Sequence, residues 1–93
     1  MGEILIDSDK LLAAGKSFSG AAEQIRAILE DLNRAVDDLE KGWAGATQQV
    51  FYKQYTDLRG YLEVFAETSA GVAKELNLLV EEMEKLDKAD FKE

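Results

Sequence analysis

Residues 41 to 55 read KGWAGATQQVFYKQY, a stretch that holds the chain's single tryptophan between two glycines, in a sequence that contains no proline. On its N-terminal side, apolar residues fall at Leu11, Phe18, Ala22, Ile25, Leu29, Leu32, Val36 and Leu39, and from Phe18 onward the intervals alternate between four and three. That spacing predicts one apolar stripe on a long helix. On its C-terminal side the pattern resumes at Phe51, Tyr55, Leu58, Leu62, Phe65, Val72, Leu76, Leu79, Met83 and Leu86, with Ser69 as a polar interruption. We therefore expect helix one over about 8–41, a turn over about 42–46, helix two over about 46–88 and a frayed C-terminal tail. At 1.5 Å per residue these are rods on the order of 50 and 60 Å. No linker separates them, so the chain reverses on itself as an all-α, two-helix antiparallel hairpin that forms a single domain over 1–93.

The quoted stretch has the chemistry of such a reversal. Gly42 follows the last stripe position of helix one and is expected to take the left-handed conformation that ends a helix. Gly45 lets the chain turn tightly beside the tryptophan, where a Cβ would crowd either the backbone or the opposing helix. Trp43 at the tip has two readings. It either covers the exposed end of the apolar seam, its indole N–H bonded to a carbonyl or water, or it presents a recognition surface. At the other end, Ser8 is the expected N-cap, with Asp7 as its competitor. Gly15 and Gly20 weaken the first turns by roughly 1 kcal/mol each relative to alanine, although glycine also permits a neighbouring helix to come close.

Composition narrows the function. The formal charge is −8 and the isoelectric point about 4.5, which argues against binding DNA or RNA, since phosphate affinity needs clustered Lys and Arg. An acidic surface also opposes anionic membranes, and no apolar run approaches the roughly 20 residues of a membrane span, so no stable membrane insertion is expected. There is no cysteine and no histidine. Thiol chemistry is excluded, and the absence of disulfides suits a cytosolic or an extracellular setting. The start MGEILIDSDK has neither a basic region nor a small-residue cleavage site, so it does not read as a classical signal peptide. Glu81, Glu82, Glu84 and Asp87 alternate with Lys85 and Lys88 as a solvated helix face would. With no phosphate-binding loop, no metal-ligand spacing and little concavity in two rods, we expect no catalytic residue, metal or cofactor.

A hairpin of this size buries only one stripe per helix. Outside that stripe lies a second apolar set, Ile28 on helix one and Val50, Tyr61, Val64 and Leu78 on helix two, with Leu12 as an extension. Exposed patches of this kind mark interfaces. The expectation is that two hairpins pair into a four-helix bundle, a two-fold homodimer being the commonest solution.

The residues also carry a family resemblance. Trp43-Ala44-Gly45, centred between two amphipathic helices in a chain of 93 residues, with the aromatic Phe51 eight positions after the tryptophan, resembles the WXG family. These are the small helical-hairpin substrates of bacterial type VII (Esx, or Ess) secretion, similar to the early secreted antigenic target proteins. Thr47 stands where that family often has alanine. The resemblance implies synthesis in a bacterial cytoplasm and export to the medium or cell surface without a cleaved signal peptide. It implies as partners a second copy or a related helical hairpin, together with the secretion ATPase. It also implies a C-terminal export signal, an aromatic or other hydrophobe followed four residues later by an acid. Met83 and Asp87 are the nearest counterpart, since no aromatic has an acid at that spacing, and their alternative reading is a seam residue and a solvated charge. Three functions stay open: a secreted substrate that pairs with itself, a helper that pairs with the helical N-terminal domain of a larger toxin, and a structural coiled-coil adaptor.

Overall fold

The computed structural model describes residues 7–91, with their side chains as far as Leu86. Two helices, α1 (Ser8–Glu40) and α2 (Ala46–Phe91), lie antiparallel in a rod with extents of 73 × 21 × 15 Å. α1 begins at Asp7, not Ser8: the Asp7 carboxylate accepts from the Asp9 N–H at 2.9 Å while its backbone stays extended, and Ser8 is already helical. The carboxylate satisfies an amide with no partner inside the helix and places negative charge at the positive end of the helix dipole. α1 ends at Lys41 in right-handed geometry, with the Lys41 and Gly42 N–H groups bonded three residues back, to Asp38 and Leu39. Gly42 is therefore not the left-handed stop expected of it. Among the described residues the one positive φ is that of Gly45, at 108°. The tightened i to i−3 turn satisfies the Asp38 and Leu39 carbonyls and lets the chain leave without inversion; the inversion comes three residues later. α2 starts there, with the Gln49 N–H bonded to the Gly45 carbonyl at 3.2 Å.

The helices meet through a narrower and smaller set of side chains than apolar spacing suggests. On α1 the buried positions are Leu11, Gly15, Ala22, Leu29 and Val36. On α2 they are Tyr55, Ala66, Ser69, Ala73 and Val80, with Leu62, Leu76 and Met83 half-buried beside them. Small residues dominate the centre. Ala22 is 1% exposed, and a Cβ built on Gly15 would stand 3.2 Å from Asn77 Oδ1 and 3.7 Å from the Ala73 carbonyl. Where Gly15 and Ala73 meet, the close approach leaves no room for the large side chains on the flank of the stripe. Phe18, Leu39, Leu58, Phe65, Leu79 and Leu86, which the periodicity placed in the seam, are consequently displaced to the side and exposed. The alternation of four and three was correct as a period, but on α2 it merges two adjacent stripes. The seam takes one of them together with the alanines on its other flank.

Candidate functional site

Three regions answer to the candidate residues: the tip, one side of the hairpin, and the C-terminal part of α2. At the tip, Trp43 is half-buried, its ring 5.3 Å from that of Phe51, and its indole Nε1 donates to Thr47 Oγ1 at 3.0 Å. Phe51 stacks in turn on Tyr55, with ring centroids 6.3 Å apart and planes 10° apart, and the Arg59 guanidinium lies 5.9 Å from the Tyr55 centroid. Phe51, Tyr55 and Arg59 follow one another at four-residue intervals, so one helix face aligns them without help from elsewhere. Tyr55 connects this ladder to α1: its hydroxyl donates to Asn33 Oδ1, a side-chain bond between the helices. Trp43 is thus held by its own chain, over the first turns of α2. The acceptor role of Thr47 and the Asn33 contact were not among the sequence expectations. The four-residue spacing of Trp43 and Thr47 signals the first; the second needs the helix pairing.

The two sides of the hairpin differ in chemistry. One carries an open groove of about 360 Å³ lined by Arg26, Leu29, Glu63, Ala66 and Glu67. The other is apolar. Handedness dictates this, because in an antiparallel pair the residue three after Gly15, Ala22, Leu29 or Val36 lies on the same side as the residue before Ala66, Ala73 or Val80, and Leu58 lies one heptad before Phe65 on that stripe. Phe18, Ile25, Leu32 and Leu39 thereby join Leu58, Phe65, Val72 and Leu79, extended by Leu86. Phe65 is 54% exposed and Leu86 65%. Of the residues singled out from the sequence for pairing, Ile28 and Tyr61 border this side. Val50, Val64 and Leu78 are exposed on the outer edge of α2, turned away from α1. Val50 there lines a shallow hollow with Ala46, Gln49, Lys53, Gln54 and Asp57.

Gly15 lies against Ala73 and Asn77, so the last turns of α2 run past the start of α1 at Ser8. Met83 is half-buried on this segment; the side chain of Asp87 lies outside the described residues. Among the described residues there is no group of three or more metal-ligating side chains, and no helix is long and apolar enough to cross a membrane.

Comparison with known proteins bears on the tip and on the fold. The chain is 28% identical over 87 residues to the type VII secretion system extracellular protein A of Staphylococcus aureus strain USA300, covering 94% of this chain and 90% of that protein. The protein of the same name from strain Newman matches equally. Among solved structures, EsxA of Geobacillus thermodenitrificans superposes with a TM-score of 0.82 at 20% identity, over 98% of this chain and 99% of that one. It shares the helical-hairpin fold. Residues 3–88 match WXG100, the proteins of 100 residues with WXG, and with Trp43 and Gly45 at the reversal between two helices, the chain belongs to the WXG100 family.

Proposed function

We propose that this protein is a small substrate of a bacterial type VII secretion system, exported as a folded helical hairpin paired with a second copy of itself. It acts through protein contacts and not through catalysis. Family membership and the extracellular proteins it resembles support the secretion reading. The observation that carries the pairing is the apolar side. Phe18, Leu39, Leu58, Phe65, Leu79 and Leu86 lie exposed on one side of a hairpin whose other side is charged, with Ile28 and Tyr61 at its margins. Two such sides packed together make a four-helix bundle and remove both from water. A specific interface needs about 800 Å² per partner, and a row from Phe51 to Leu86, roughly 50 Å long, offers that scale.

In this reading the protein is made in the cytoplasm and leaves without a cleaved signal peptide. The secretion ATPase reads the C-terminal part of α2, where Met83 and Asp87 lie one helical turn apart. A second reading, favoured because none of the aromatics from Phe18 to Phe65 has an acid four residues on, makes the protein a helper that pairs with the helical domain of a larger toxin and relies on that partner's signal. Light scattering on a sizing column separates them. The self-pairing reading expects a particle of twice the 10.3 kDa chain mass; a monomer at every concentration overturns it in favour of the helper. Export is tested by detecting the protein in culture medium, with Asp87→Ala expected to keep it in the cell at unchanged intracellular level. Undiminished export of that variant removes the signal assignment.

A further inference from the structure

We draw no further inference here: the strongest candidate, the outer edge of α2 where Val50, Val64 and Leu78 stand exposed beside the shallow hollow at Lys53 and Asp57, is an unpartnered apolar strip, and nothing in the structure shows what covers it.

Discussion

Replacing Phe65 with alanine tests the pairing side at its middle. An aromatic side chain has about 150–250 Å² to bury, and Phe65 is 54% exposed in the hairpin, which leaves about 100 Å² for a partner to cover. At about 25 cal/mol per Å² this is about 2.5 kcal/mol per copy. A two-fold pair buries it twice, so Phe65→Ala should weaken pairing by about 5 kcal/mol, or a few thousand-fold in Kd. The half already covered inside the hairpin makes the same substitution cost the single chain about 2 kcal/mol. Mass by light scattering and helicity by circular dichroism, both followed over a concentration series, separate these effects. The variant should become monomeric at concentrations where the parent is paired, and its helicity should recover as the concentration rises. Glu63→Ala on the charged side should leave particle mass unchanged. A Phe65→Ala protein that stays paired on dilution alongside the parent would refute the assignment of this side, whatever its thermal stability.

Four further outcomes follow from the local geometry. A Cβ at Gly60 or Gly71 meets nothing within 4 Å, so Gly60→Ala and Gly71→Ala should each raise unfolding free energy by about 0.5–1 kcal/mol in urea titrations. Gly45→Ala should lower it by roughly 1–2 kcal/mol, because the φ of 108° strains any side chain. Thr47→Ala removes the acceptor of the Trp43 indole; as the bond is exposed, the expected loss is about 0.5–1 kcal/mol, together with a change in tryptophan fluorescence. Ser69 is buried between Ala66 and Ala73, so Ser69→Leu should overpack the seam and cost about 1–3 kcal/mol, whereas Ser69→Ala should be nearly neutral in the same titration.

The hairpin itself was legible because period and interruption are strong signals: two long stripes of apolar residues, with Gly42, Trp43 and Gly45 between them, admit one reversal. What the pattern did not reveal is which apolar residues face inward. Hydrophobicity marks Phe65 and Leu79 above Ala66 and Ala73, yet the distance between the helix axes favours the alanines, and that distance is a property of both helices together. Gly15 was the available clue, as a residue that admits close approach and buries itself by doing so. At the turn, glycine enrichment after helices pointed to Gly42 for the left-handed position. The tightened bonds of Lys41 and Gly42 to Asp38 and Leu39 moved the inversion to Gly45. Asp7 over Ser8 was a choice between adjacent capping residues, which composition cannot rank. The tip ladder was half visible: Phe51 by its family position and Arg59 by its four-residue interval from Tyr55, but Asn33 only once the helices are paired.

If the hairpin is exported folded and paired, as proposed above, its rod shape has a consequence for transport. With a radius of gyration of 21.1 Å, against about 12 Å for a compact domain of this length, the chain is long in one direction and thin in the other two. Passed end-on, it presents 21 × 15 Å between its outer backbone positions, and face-to-face pairing doubles only the thinner of these. A channel that admits such a cargo is matched to a cross-section and not to a volume. Lengthening both helices would add mass and binding surface at constant aperture, whereas a globular substrate gaining the same mass would need a wider opening or would have to unfold.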